Sequence, residues 1–337
     1  MRITVLIMFF ISLWLSSLSQ DIHFSQHYFT PVFTNPANTG LFEGKYRMGL
    51  QYRNQWNAVT TPFKTLMAAG DMMIIRKKPG RGYAGAGLMI LGDRAGDGAY
   101  GITQAALSLS WFQPLDRKGR NYLGAGISAA PTEVSVNFNR LRFPDQYDGN
   151  MFNPNIPHGE SIGREWRYYP DLAAGLVWLL TQTGQQEVQL GFSAFHLNRP
   201  KWGLLESSAE KLSVRWSAQA SARQKLSEEW HLCPSMLFNI QDRHRELLIG
   251  SNVSWSRWDR SDLAATLRAG IHSRLGDALI ILLGADLGAM SYNISYDINY
   301  SGLKKASYLR GGLELSLQYT FLKPDGTLKR EVTCPIF

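Results

Sequence analysis

The segment from Leu309 to Phe321 constrains the fold more than any other stretch of the chain. Leu309, Gly311, Leu313, Leu315, Leu317, Tyr319 and Phe321 share one parity, while Arg310, Gly312, Glu314, Ser316, Gln318 and Thr320 share the other. An unbroken two-residue period of this length is an amphipathic β-strand, longer than the roughly five or six residues usual in globular sheets. The pattern returns in Leu212, Val214, Trp216, Ala218, Ala220 and Ala222, set against Lys211, Ser213, Arg215, Ser217, Gln219, Ser221 and Arg223. Tyr292, Ile294, Tyr296, Ile298 and Tyr300, set against Asn293, Ser295, Asp297, Asn299 and Ser301, form a third case. Glu314, Arg215 and Asp297 stand mid-strand, where a dry sandwich core would leave a charge unsolvated and a wet lumen would not.

Composition closes the other routes. With 45% hydrophobic and 12% aromatic residues and two cysteines in 337 positions, the chain is neither disordered nor a disulfide scaffold. Past residue 20 the longest apolar runs, 172–180 and 278–285, fall far short of the roughly 20 residues of a spanning helix. The net charge of +8 raises nucleic acid or anionic lipid as partners. The basic residues, however, cluster only in short turn-like stretches such as Arg76, Lys77, Lys78 and Arg81, or Arg117, Lys118 and Arg120. No nucleic-acid partner is expected from that pattern.

Arg2, the apolar run from Ile3 to Leu15 and the small residues to Ser19 have the layout of a cleaved export signal. The run rises about 20 Å as a helix, too short for a hydrocarbon core of roughly 30 Å. The expected organisation is a signal peptide at 1–19 and an N-terminal plug or periplasmic segment at 20–44. A β-barrel at 45–322 and a periplasmic C-terminal tail at 323–337 follow. About fourteen strands are predicted, giving an all-β, transmembrane, antiparallel up-and-down barrel of outer-membrane type. With both termini in the periplasm, the short links at 76–81, 114–119 and 181–185 lie there, and the two longest, 139–167 and 200–210, point outward. Trp56, Trp111, Trp178, Trp202, Trp216, Trp255, Trp258 and Tyr319 are candidates for interfacial girdles.

Motifs for enzymes and cofactors are missing: there is no Gly-x-Ser-x-Gly elbow, His-Glu-x-x-His helix or phosphate loop. No catalytic, cofactor or metal residue is therefore assigned, and no enzymatic activity is expected. A hydrolase embedded in the barrel rim and a porin or substrate-specific channel are the alternatives. His23 and His27 read as two surface histidines, and Asp93 and Asp97 as parts of an outward loop. Gly85, Gly87, Gly124 and Gly126 read as small residues where barrel side chains crowd. Cys233 and Cys334 read as two free thiols in preference to a pair.

Several motifs together carry a resemblance. Asp21-Ile-His-Phe-Ser-Gln26, Asn35-Pro36-Ala37 with Gly40, and Tyr52-Arg53-Asn54-Gln55-Trp56 lie near the start. Leu190-Gly-Phe-Ser193 with His196 and Pro200, Tyr296-Asp297 with Asn299 and Ser301, Glu314-Leu-Ser-Leu317, and Cys334-Pro-Ile-Phe337 follow in order. From about residue 21 to 337 the chain resembles the PorP/SprF family of type IX secretion system outer-membrane proteins, with Ile336 standing where members often have Arg. The resemblance implies a bacterial outer-membrane component of the secretion and gliding apparatus. Its partners would be outer-membrane lipid, periplasmic ring and motor proteins, and secreted or surface-displayed cargo, in some members one large adhesin. The motif residues Asn35, Pro36, Tyr52, Arg53, Asn54, Gln55, Trp56, His196, Pro200, Tyr296, Asp297, Asn299 and Glu314 are the partner-contact candidates. For Arg53 the favoured reading is a lumenal pair with a carboxylate such as Glu314, since the last strand closes against the first.

Overall fold

In the computed structural model the described residues are 21–56, 61–75, 81–153, 155–157, 164–182, 186–204, 210–257, 265–302 and 307–321. The expected signal peptide, the C-terminal tail, Cys334 and Trp258 lie outside them.

Fourteen strands form one closed sheet, each paired antiparallel to its chain neighbours, with the first sealed against the last. They are β1 (Tyr46–Gln55), β2 (Phe63–Ile75), β3 (Tyr83–Ala95), β4 (Tyr100–Pro114), β5 (Asn121–Ser135), β6 (Trp166–Gln182) and β7 (Gln186–Phe195). The second half comprises β8 (Arg215–Lys225), β9 (Trp230–Gln241), β10 (His244–Arg257), β11 (Ala265–Arg274), β12 (Ala278–Leu287), β13 (Met290–Asn299) and β14 (Arg310–Phe321). Closure leaves no edge strand and satisfies the backbone internally, which the bilayer demands. The link between β7 and β8 is longer than the expected 200–210. β7 ends at Phe195 because His196 and Arg199 take left-handed backbone angles of +58° and +45°, and β8 begins only at Arg215.

Parity is obeyed along the strands. On β14, Leu313 and Leu315 face outward while Glu314 and Ser316 are buried, and on β13, Tyr292, Ile294 and Tyr296 alternate with buried Asn293, Ser295 and Asp297. The outer surface carries Leu50, Leu66, Ile90, Leu107, Ile127 and Leu176, each more than half exposed. A belt of that kind has its stable solvent in lipid.

The loops divide by end. Residues 136–165, 196–214 and 300–309 join strands at one end, and the links 226–229 and 288–289 lie at the other, where β1 starts and β14 stops. Residues 21–41 fill the lumen between them. Phe24 to Thr39 are buried almost without interruption, which also overturns the surface reading of His27. The first described residue corrects another expectation. Asp21 sits at the long-loop end against His196, Arg215 and Gln241, so this segment traverses the whole lumen before β1 begins at the turn end. Asp93 likewise leaves the expected loop: it lies on the inner face of β3 and accepts from Thr65 Oγ1 at 2.6 Å.

Cys233 is disulfide-bonded, which corrects the expectation of free thiols. Its parity turns it into the lumen, and the sequence offers Cys334 as its one possible intrachain partner. β14 delivers the chain to the same turn end at which β9 begins, so the tail starts on the correct side of the barrel.

Glycines on the inner wall do more than relieve crowding. A Cβ at Gly126 would lie 2.5 Å from the backbone of Pro36 and Ala37, one at Gly85 2.4 Å from the Thr39 carbonyl oxygen, and one at Gly175 1.9 Å from Asn35 Oδ1. These positions form a floor on which Asn35 to Gly40 lies in backbone contact. Gly126→Val is expected to destabilise the folded barrel by about 1–3 kcal/mol through overpacking, read as earlier loss of fast gel mobility on heating. Gly92→Ala, where a Cβ meets nothing within 4 Å, is the matched control and should behave as wild type.

Candidate functional site

The polar interior is organised as three anchorages for the N-terminal segment. The first sits at the β1–β14 seam, where Arg53 and Glu314 are register partners. Arg53 donates through Nη1 to Glu314 Oε2 at 2.8 Å and through Nη2 to Asp297 Oδ2 at 2.9 Å. Glu314 in turn accepts from the backbone N–H groups of Ser25 and Gln26, both at 2.8 Å, and from Gln51. Ser25 Oγ accepts from Arg53 and from Arg274, each at 2.7 Å, and donates to Asp297. All four charged groups are buried, so each depends on the others for solvation.

The second anchorage holds Asn35 to Gly40 on the glycine floor. Asn35 caps the short turn Pro36–Asn38 by accepting from the Ala37 N–H at 2.8 Å, and it donates to the Leu176 carbonyl at 3.0 Å. Proline at the first position of that turn already has the required φ and no N–H to satisfy. Asn38 Oδ1 accepts from Gln189 and Gln219, Thr39 donates to Ser108, and the Gly40 N–H donates to Asp71. Arg47 forks onto the same Asp71 carboxylate with two bonds of 2.9 Å.

The third anchorage closes the long-loop end. His196 bridges two carboxylates, Nε2 at 2.7 Å from Asp21 and Nδ1 at 3.0 Å from Asp171, and Arg215 approaches Asp21 at 3.3 Å. Burial pushes the His196 pKa down, but the charge of Asp21 and its bonds to both carboxylates outweigh this and raise it to about 9. Burial pushes the Asp21 carboxyl up, and the charges of His196 and Arg215 override it, holding Asp21 below the usual carboxylate range. The imidazolium pairing is therefore complete below the ordinary histidine range and is lost as pH rises through about 9. Protection of the amides near residue 21, normalised for the base-catalysed rise of intrinsic amide exchange with pH, is expected to fall across that window in the wild type. In His196→Gln it should be low and the same on both sides.

Of the residues singled out from sequence, Arg53, Asp297 and Glu314 converge, Asn35 and Pro36 share the second anchorage, and His196 belongs to the third. The others are scattered. Tyr296 faces outward, Asn299 is buried near the long-loop end, and Pro200 accepts from Leu212 N–H within the β7–β8 loop. Tyr52 and Asn54 have outward parity on β1, Gln55 touches Arg53, and Trp56 ends the strand with a φ of +61°, edge-on to Phe63. Trp111 and Trp216 face lipid, but Trp202 lies in the β7–β8 loop and lines a lumenal cavity instead of a girdle. Asp21 was named only as the start of a motif, and Arg274, Asp71 and Asp171 were missed. Their signal was parity, since Arg274, Asp71 and Asp171 lie on inward-facing strand positions where a charge calls for a partner.

The comparisons agree with this architecture. The family model described as type IX secretion system membrane protein PorP/SprF matches residues 16–319. Among solved structures, the Ralstonia pickettii toluene transporter TbuX is 11% identical, with a TM-score of 0.50 over 87% of this chain and 94% of that one. A TodX monoaromatic hydrocarbon channel deletion mutant is 8% identical, with a TM-score of 0.50 over 86% and 93%. At such identities these two share a barrel fold and nothing finer. No curated protein sequence matches the chain.

Proposed function

We propose, from the premise that the chain belongs to the PorP/SprF family of type IX secretion system membrane proteins, that this barrel is a non-enzymatic docking component of the secretion apparatus. It is an outer-membrane protein, and its task in this reading is to support the secretion or surface display of protein cargo, large adhesins of gliding cells among them. The observation that carries the reading is the filled lumen. Residues 21–41 take up the space a solute would use and are bonded to the wall through Asp21, through Ser25 and Gln26, and through Asn35 to Gly40. What is left for partners is the two ends. The short-turn end suits periplasmic ring and motor proteins. The long-loop end presents residues 136–153, with two short turns and exposed Tyr147 and Met151, to cargo. A channel reading would require the segment to leave all three anchorages.

Deleting the gene tests the proposal. One or more large proteins should vanish from the cell surface while uptake of small solutes is unchanged. Normal surface display with altered uptake would favour the channel.

A further inference from the structure

Between the N-terminal segment and the wall of β3 to β8, at the long-loop end, lies a cavity of about 80 Å³. Its lining is divided. Phe33, Met89, Leu91, Ala106 and Ala130 make an apolar floor, and Asp21, Asp171, His196 and Arg215 make a charged roof. Free space of that size holds several waters or a short apolar group.

Arg215 is the under-used member of the roof. The residue is 8% exposed, yet among the described residues its one ion pair is the 3.3 Å approach to Asp21 and its buried Nε has no hydrogen-bond partner. Charge-assisted bonds to a well-seated carboxylate run nearer 2.7–2.9 Å, and a guanidinium prefers to engage one with two parallel bonds. Its plane is held over Phe195, 4.2 Å from the ring centroid, and near Phe33 at 5.6 Å, so the fork is pre-oriented. His196 stands beside it, also bonded to Asp21. The two cations thus grip a carboxylate from the chain's own lumenal segment, and they grip it imperfectly on the Arg215 side.

We propose that this cavity binds a carboxylate bearing a small apolar body, the ligand carboxylate replacing that of Asp21 on Arg215 and His196 while the body rests on the apolar floor. Asp21 is then an internal competitor, present at the site in every molecule. The ligand chemistry is shared by a free short fatty acid and by the C-terminus of a peptide ending in a small apolar residue.

Calorimetric titration of the full chain in detergent with butyrate, whose body suits a cavity of about 80 Å³, and with butan-1-ol as the uncharged counterpart, tests this. The acid should bind about tenfold or more tighter than the alcohol, the difference expected of one charge-assisted contact. Asp21→Asn should tighten acid binding by about tenfold, and Arg215→Gln should weaken it by a similar factor. A merely structural Asp21–Arg215 pair predicts that both substitutions act in the same direction. Heat-modifiable gel migration reports whether each variant is folded. If Arg215→Gln fails to fold, the acid and alcohol compared on wild type and Asp21→Asn still decide. Equal binding of acid and alcohol to Asp21→Asn, no binding of either, or a weakening by Asp21→Asn overturns the proposal. A peptide Gly-Gly-Val with a free carboxylate, compared with its amide, assigns the source. Binding of the peptide acid as tight as that of butyrate identifies chain termini, and binding of the small acid alone identifies free acids.

Discussion

An Arg53→Ala barrel is expected to lose roughly 3–5 kcal/mol of folded stability, the cost of stripping a buried ion-pair network of one partner. Glu314 and Asp297 would be left close together on neighbouring strands, with Arg274 as the remaining cation of the network and Ser25 deprived of one of its donors. The loss should appear as a lower temperature for conversion from the fast to the slow gel form, and as reduced abundance in the outer membrane. Adding Glu314→Gln to the same chain removes the uncompensated charge and should recover a large part of the loss. Surface cargo then falls only in proportion to the folded barrel. If Arg53→Ala barrels reach the membrane at normal abundance and cargo is nevertheless lost, Arg53 serves a partner and not the seam.

The second large effect is on conductance. In planar bilayers the full chain is expected to be silent, because the described part of the N-terminal segment is in contact with the wall from the long-loop end to the turn end. Deletion of residues 21–41 should give steady, open conductance, since the inner wall left behind is lined with Ser, Asn, Gln and charged groups that water can solvate. Large conductance from the full chain would mean that the anchorages do not hold the segment in the membrane. Silence from the deletion variant would place the block in another part of the chain.

Much of this barrel can be read directly from the two-residue period. The period identifies which side of each strand meets lipid, because a lipid-facing Leu313 and a lumenal Glu314 cannot exchange places without burying a charge in hydrocarbon. The pairing of Arg53 with Glu314 is legible for a related reason: first and last strands must meet, and each carries an inward charge of opposite sign. Residues 21–44 are a different case. They have no period, and their conformation is imposed by a wall assembled from distant positions, such as Gly85, Gly126 and Gly175 beneath Asn35 to Gly40. Sequence shows those glycines as interruptions in strands, and only the closed sheet reveals that another segment, by its backbone at Gly85 and Gly126 and by the Asn35 side chain at Gly175, occupies the missing side chains' space. Cys233 has the same history. Its inward parity and the return of the last strand to the turn end were both legible, but the pairing was not, because spacing along the chain does not say which thiols meet.

The seam described above also dictates an order of events. Ser25 and Glu314 are 289 positions apart along the chain, and Arg53 and Glu314 are 261 apart, so their contacts carry a large loop-closure cost and form late. The segment bonds to β1, β13 and β14 together, so the order expected is that it lies on the open sheet first, with β1 and β14 zipping shut over it. The carboxylate that completes the zipper is the one that receives the backbone of Ser25 and Gln26. A chain whose N-terminal segment is absent or misplaced therefore reaches its last step with Glu314 short of donors, and the defect should register as slow closure of the ring before it registers as a leak.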